Sequence, residues 1–430
     1  MQTPWNDPAL HDAFDEDFRA LVDFAKASKC PAGFASLDAD GVIDESKPVE
    51  LWIACRMTYV FALAQLRGID SVFDLVEHGL DSLSGPFFDD ECGGWHSALA
   101  TRDEHAQPAD NARKEAYSHA FVILAAAAAS LAGHERGTHL LNIALEDQDL
   151  HWWEPGVGRV KNSWNRDWSE CEPYRGLNAT MHTVEAYLAA WDATGKRMWL
   201  DRAREMMRFV AETGAAFGWR LPEHYAPDWT AQPDMFADNP TDPFRPYGAT
   251  PGHGFEWARL ILHGRAALVA IGDTPGPWMV DVARALVDRA DADAWDDDGC
   301  GGFVYTTDFD GRTVVPTRMH WVACEAVNAV LALGRVCKEL DDKEGVRTQS
   351  ERFARYVAWA DQYLHEAPGR WFHELNAEGR VSHTVWNGKP DAYHVAQMLL
   401  LPSIGLAPGF AAALAAMRTA SRIGTAAHLL

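Results

Sequence analysis

The chain has 430 residues, 47% apolar and 23% charged, which is enough apolar material for a large buried core and too much for a disordered chain. Its formal charge of −24 is spread along the sequence, and this excludes nucleic acid, which binds through clustered Lys and Arg. No basic leader precedes an apolar segment, and the most apolar run, 120–133, is too short to cross a bilayer, so a cytoplasmic protein with no membrane partner is expected.

Apolar residues recurring at i, i+3, i+4 and i+7 predict helices over 9–28, 48–68, 69–83, 114–132, 135–147, 176–194, 197–214, 253–271, 276–292, 318–338, 344–365, 390–402 and 408–422. Many alternate between a long apolar helix and a more charged one such as 201–213, the pattern of an inner helix followed by an outer one. No Gly/Ser-rich linker or charge block divides the chain. One closed array of paired helices over residues 1–430, a single all-α domain, is therefore expected.

A second element repeats more faintly, an aromatic residue followed by a turn rich in Asp, Asn and Gly. It occurs as Gly33-Phe34 to Asp38-Ala39-Asp40-Gly41, as Gly302-Phe303-Val304-Tyr305 to Asp308-Phe309-Asp310-Gly311, and as Trp371-Phe372-His373-Glu374 to Asn376-Ala377-Glu378-Gly379. These predict short β-hairpins capping one end of the array. Asp296-Asp297-Asp298-Gly299 reads as a solvated turn, because no EF-hand spacing follows it. The seven cysteines are scattered, odd in number and without a C-x-x-C pair, as expected of reduced thiols.

Five predicted inner helices each carry, near their beginnings, a polar group and a partner three or four residues on, which share one helical face. The pairs are Trp52/Arg56, Asn178/His182, His253/Glu256, Trp321/Glu325 and Asp391/His394. Gly- or Pro-bearing turns lead into four of these segments, so the faces are expected to meet at one mouth of the barrel. Indole faces suit sugar carbon-hydrogen bonds, and carboxylates, amide and guanidinium suit hydroxyls, so a site of this composition, with Trp386 added, is a polyol site. Structural readings stay open beside this one: core histidines, an ion-paired Arg56, and Glu256 and Glu325 as helix-start carboxylates favoured by the helix dipole. H-x-x-E at His182–Glu185 and His253–Glu256 leaves a metal reading open, although H-E-x-x-H, Walker-A, G-x-G-x-x-G and G-x-S-x-G signatures are absent.

Five blocks resemble the N-acylglucosamine 2-epimerase superfamily. They are Arg56-Met57-Thr58-Tyr59-Val60-Phe61-Ala62, Lys114-Glu115-Ala116-Tyr117-Ser118-His119-Ala120-Phe121, Asn178-Ala179-Thr180-Met181-His182, Pro251-Gly252-His253-Gly254-Phe255-Glu256-Trp257 and Lys389-Pro390-Asp391-Ala392-Tyr393-His394. Their order and spacing are similar to its aldose–ketose isomerase branch, and the resemblance spans almost the whole chain. It implies a six-hairpin (α/α)6 barrel and a site with neither metal nor cofactor. It also implies His394 as the proton shuttle and His253 as an acid/base that assists ring opening, with Arg56 and Glu256 counted among the catalytic residues. Trp52, Tyr117, Asn178, His182, Trp321, Glu325, Trp386 and Asp391 are then substrate-binding residues. The insert over 219–245 matches no motif and is expected to shape substrate choice.

The chemistry agrees with this reading. Converting an aldose to a ketose removes a weakly acidic proton from C2 and delivers one to C1, and a neutral imidazole titrating near neutrality suits both steps. A helix start disfavours the imidazolium, and Arg56 is placed to stabilise an enediolate oxygen. Mannose–fructose interconversion, with lyxose–xylulose as a second case, is the expected activity of a monomer or small homo-oligomer. The rivals are a 2-epimerase acting on mannose, an N-acylhexosamine or cellobiose; a sulfoquinovose isomerase using Arg175, Arg245 or Lys389 for the sulfonate; a glycoside hydrolase or lyase; and a silent sugar-binding protein.

Overall fold

The computed structural model describes residues 3–109, 113–296 and 299–427. Thirteen helices run through them: α1 (Pro8–Ala25), α2 (Leu51–Leu66), α3 (Phe73–Ser84), α4 (Ala116–Ala132), α5 (Glu135–Asp147), α6 (Leu177–Thr194), α7 (Arg197–Ala216), α8 (Pro251–Ala270), α9 (Trp278–Ala294), α10 (His320–Glu339), α11 (Lys343–Tyr363), α12 (Tyr393–Leu400) and α13 (Phe410–Ala427). The inner and outer classes expected from composition are distinct in burial. Every residue of α2 is buried, whereas α7 buries one stripe, Trp199, Leu200, Ala203, Met206, Met207, Val210 and Gly214.

The inner helices close a ring in which α2 packs on α4, α4 on α6, α6 on α8, α8 on α10, α10 on α12, and α12 back on α2. Behind them lie α3, α5, α7, α9 and α11, each against the inner helix that precedes it in sequence. The sixth pair joins the two ends of the chain, since α1 packs behind α12. Helix α13 packs against α2, α4 and α6 and closes the end of the ring where the inner helices finish.

Backbone ladders hold the starts of the inner helices. Val49–Glu50 before α2 pairs with Ala98–Leu99, and Lys114–Glu115 before α4 pairs with Ser163–Trp164. Arg175–Gly176 before α6 pairs with His224–Tyr225, and Arg318–Met319 before α10 with Glu374–Leu375. Single bridges, Ala249 to Thr307 and Lys389 to Leu37, do the same before α8 and α12. A belt of short antiparallel pairs therefore fixes the mouth at which all six inner helices begin, and the side chains on their first turns inherit that rigidity.

The three repeated sequence turns are one structural motif. In each, the side-chain oxygen of Asp38, Asp308 or Asn376 accepts backbone N–H groups two and four residues on. Gly41, Gly311 and Gly379 follow at φ +85°, +85° and +77°, a conformation that favours glycine. Leu37, Thr307 and Leu375 attach these hairpins to the segments leading into α12, α8 and α10, so they cap the mouth as expected. Residues 297 and 298 of the expected Asp-rich turn lie outside the described residues. All seven cysteines are free thiols, and among the described residues no helix is long and apolar enough to cross a membrane.

Candidate active site

At the mouth lies a pocket with an empty volume of about 680 Å3, open solvent included, within the range of small-molecule sites. Trp52, Arg56, Tyr117, Asn178, His182, His253, Glu256, Trp321, Trp386, Asp391 and His394 all line it. The structure thus brings together residues from all six inner helices or their leading segments. Gly252 lets the Trp321 ring lie close against the start of α8, because a Cβ there would stand 2.5 Å from that ring.

Two corrections follow. Glu325 does not line the pocket; it lies one turn below Trp321, behind His394, and is fully buried. Asp391 is not on the helical face of His394, because α12 begins at Tyr393; Asp391 Oδ1 accepts the Tyr393 N–H (2.8 Å) from outside the helix.

Both imidazoles expected to carry chemistry are held by carboxylates. His253 Nδ1 donates to Glu223 Oε1 at 2.8 Å, and His394 Nδ1 donates to Glu325 Oε1 at 3.0 Å. A carboxylate on Nδ1 fixes the tautomer and leaves Nε2 as the basic nitrogen. The Trp321 ring stands beside both, with centroids 5.3 Å from His253 and 5.8 Å from His394. Burial, with Arg56 adding to it, holds the His394 imidazole well below the ordinary histidine range, so the ring is neutral at rest.

Arg56 sits in an aromatic box. Its guanidinium carbon lies 4.4 Å from the Phe121 centroid, 4.5 Å from Tyr393 and 5.0 Å from Trp52. Nη1 donates to Asp391 Oδ2 and Nη2 to Tyr117 Oη, both at 3.0 Å. Burial alone would raise the Asp391 carboxyl, but Arg56, the neighbouring imidazoles and the Tyr393 N–H together outweigh it and hold the carboxyl below its usual range.

Beneath the pocket lies an ionic floor centred on Arg259, which the sequence did not single out. Arg259 Nε donates to Glu325 Oε2 at 2.7 Å, and its Nη atoms lie 3.5 Å from Glu256 and 3.7 Å from Glu185. Glu185 also accepts from Tyr393 Oη and, at 3.0 Å, from Gln397 Nε2. Burial and the neighbouring Glu325 charge push the Glu256 carboxyl well above its usual range, so it keeps its proton and can donate it. Burial also opposes ionisation of Glu185, yet His182 and Arg259 together hold it as the carboxylate.

His182, Glu185 and Glu256 bring ligand atoms within 4.8 Å of one another, so one H-x-x-E pair does join part of the other. His253 is not among them. The Arg259 guanidinium already lies 3.7 Å from the Glu185 carboxylate and 3.5 Å from the Glu256 carboxyl, and a divalent cation would have to compete with it.

Other residues came to light only in the structure. His320 and His373 stack at 3.7 Å on one wall of the pocket, and burial lowers the His320 imidazole to about 4. Phe244, Pro243 and Pro246, from the insert and just past it, form part of the pocket lining. The three cations weighed for a sulfonate are engaged elsewhere: Arg175 by Glu154, Arg245 by Glu172 and Lys389 by Glu366, and none lines the pocket.

A ring of paired helices whose inner helices all start at one aromatic, histidine-bearing pocket defines the class of (α/α)6-barrel sugar enzymes. The chain belongs to the N-acylglucosamine 2-epimerase family, whose model matches residues 33–398. It is 44% identical over 422 residues to a D-mannose isomerase of Thermobifida fusca, covering 96% of this chain and 99% of that one. A D-mannose isomerase of Pseudomonas cannabina pv. alisalensis is 39% identical over 411 residues, covering 95% and 96%. Among solved structures, a D-mannose isomerase superposes with TM-score 0.81 at 24% identity, over 94% of this chain and 99% of that one. Cellobiose 2-epimerase from Bacillus thermoamylovorans shares the fold with TM-score 0.75 at 17% identity, over 92% and 99%.

Proposed function

We propose that the chain interconverts D-mannose and D-fructose by moving one proton between C2 and C1, His394 being the base. The observation that carries this reading is the pair of carboxylate-held imidazoles, His253 and His394, on one pocket. Near-full-length identity to two D-mannose isomerases supports the substrate.

His253, as acid and base, moves the proton from the anomeric hydroxyl to the ring oxygen and opens the sugar. His394 Nε2 then takes the proton from C2; the C2–H electrons form the C1=C2 bond and negative charge passes to O1, next to Arg56. Glu256, which carries a proton, donates to O1 and receives the O2 proton in return. As C2=O2 forms, the C1=C2 electrons take the proton back from the His394 imidazolium at C1. Every proton is accounted for, and no redox partner is consumed. The ring of Trp321 supports the apolar face of the chain, while Asn178 and His182 bind its hydroxyls.

Early product decides between isomerase and 2-epimerase. Incubated with mannose, the protein is expected to release fructose first, in EDTA as well as without it, as resolved by chromatography. Glucose as the first product would replace this reading by C2 epimerisation.

The pH dependence has a definite sign. Because the His394 imidazole is depressed below its ordinary 6.5, it stays a competent base below that pH and is lost only as pH falls through its lowered value. The acid limb that His394 imposes on kcat/KM for mannose is therefore expected below pH 6.5. An acid limb at or above pH 6.5 in the wild-type profile would contradict the assignment.

A further inference from the structure

Near its end the insert places Phe244 in the lining of the pocket. Phe244 meets Trp386 at 5.3 Å and 81°, Trp52 at 6.0 Å and 81°, and Tyr117 at 5.9 Å and 75°, all edge to face. Trp52 and Trp386 also touch each other, at 6.1 Å. Phe244, Trp52 and Trp386 thus make a closed cluster of rings, and Phe244 is its exposed member at 38%.

Behind these rings lies a second cavity, of about 1100 Å3 empty volume with open solvent included. It shares Trp52, Tyr117, Asn178 and Phe244 with the inner pocket. The two spaces are therefore neighbours. The outer wall is polar, bearing Glu50, Glu115, Asp242 and Asn162. Its cation, Arg245, is forked onto Glu172 at 2.8 and 2.9 Å and stacked on Tyr174 at 4.2 Å. Carboxyl and amide groups beside aromatic faces, with the positive charge already neutralised, fit a neutral polyhydroxyl unit and repel a phosphate.

Phe244 is a wall held from both sides. Asp242 Oδ1 accepts the backbone N–H groups of Phe244 (2.9 Å) and Arg245 (2.8 Å), Pro243 precedes it, and the Arg245–Glu172 fork pins the next residue. Opening the partition by moving the loop would break these contacts, whereas shortening the side chain would leave them intact.

We infer that Phe244 is a specificity-determining residue that confines the enzyme to single sugar units, and that the chamber behind it is space for a second, neutral sugar unit which the ring shuts off. The inference rests on the proposed reading that the reacting sugar occupies the inner pocket. Removing the ring joins two cavities that already share four lining residues, and gives the distal end of a reducing disaccharide somewhere to lie.

The test compares the full-length protein with Phe244→Ala and the milder Phe244→Leu, on mannose and on the 1→3-, 1→4- and 1→6-linked reducing mannobioses. Products are resolved by chromatography. Wild type is expected to convert mannose and to turn over the disaccharides at about a hundredth of that rate or less. Phe244→Ala is expected to gain roughly tenfold or more in kcat/KM on at least one linkage, while its kcat/KM on mannose falls by up to about tenfold. The inference is overturned if no linkage gains in either variant, if wild type already accepts a mannobiose as well as mannose, or if both variants lose all turnover. Failure of wild type to isomerise mannose would instead remove the underlying reading, so the two failures are separate observations.

Discussion

Replacing His394 with Asn is expected to lower kcat for mannose–fructose interconversion by about three to four orders of magnitude, the range associated with loss of a positioned general base. No neighbour is placed to take over. His253 is tied to Glu223 on a different segment, and His182, on α6, faces Glu185 at 3.6 Å and Glu256 at 3.8 Å rather than Glu325. Asn keeps much of the volume and can still donate toward Glu325, so the melting temperature is expected to move little. Mannose binding should survive, as measured by isothermal titration calorimetry. A variant that keeps kcat within about tenfold of wild type would show that the proton travels by another group.

Arg56→Met is expected to have the second largest effect, and on two properties. Loss of the guanidinium removes the charge that faces the developing enediolate, at a cost of about 10²–10³ in kcat. It also strands Asp391, whose side chain is 6% exposed, without its partner, and breaking one side of a buried pair costs about 3–5 kcal/mol of stability. The sequence alone left open whether Arg56 is structural or chemical, and the double variant Arg56→Met with Asp391→Asn separates the two. Stability, followed by denaturant midpoint, should recover because no charge remains buried and unpaired. Activity should not recover. If activity returned with stability, Arg56 would be a structural residue only.

The parts of this site that were legible in the sequence are those governed by local spacing. A Pro or Gly leading into an apolar helix marks where α8 and α10 begin, and the next four residues must face the mouth; His253, Glu256 and Trp321 follow from that. The same logic misplaced two residues. Asp391 was set on the helix, but Pro390 and the side chain's own bond to the Tyr393 N–H keep it outside, where it can cross to Arg56. Glu325 shares a face with Trp321, yet four residues is a full turn of descent, enough to carry it beneath the pocket and against His394.

What stayed hidden depended on contacts between distant segments. Glu223 lies 30 residues before His253, in an insert without periodicity, and reaches it because Pro222 bridges Ala249 just before α8. His373 looked like part of a capping hairpin, which it is; that the hairpin strand pairs with the residues leading into α10, and so stacks His373 on His320, is a matter of register between strands. Arg259 did carry a signal, three residues beyond Glu256 in an otherwise apolar helix, since a charge so placed must be paired by other inner helices.

The most direct measurement is the structure of the protein with an open-chain hexitol, D-mannitol, bound. The account predicts C1 and C2 lying between the Nε2 atoms of His253 and His394, with O1 toward Arg56 and both Nδ1 contacts to Glu223 and Glu325 kept. A hexitol bound with C1 and C2 out of reach of His394, or seated outside this pocket, would contradict it.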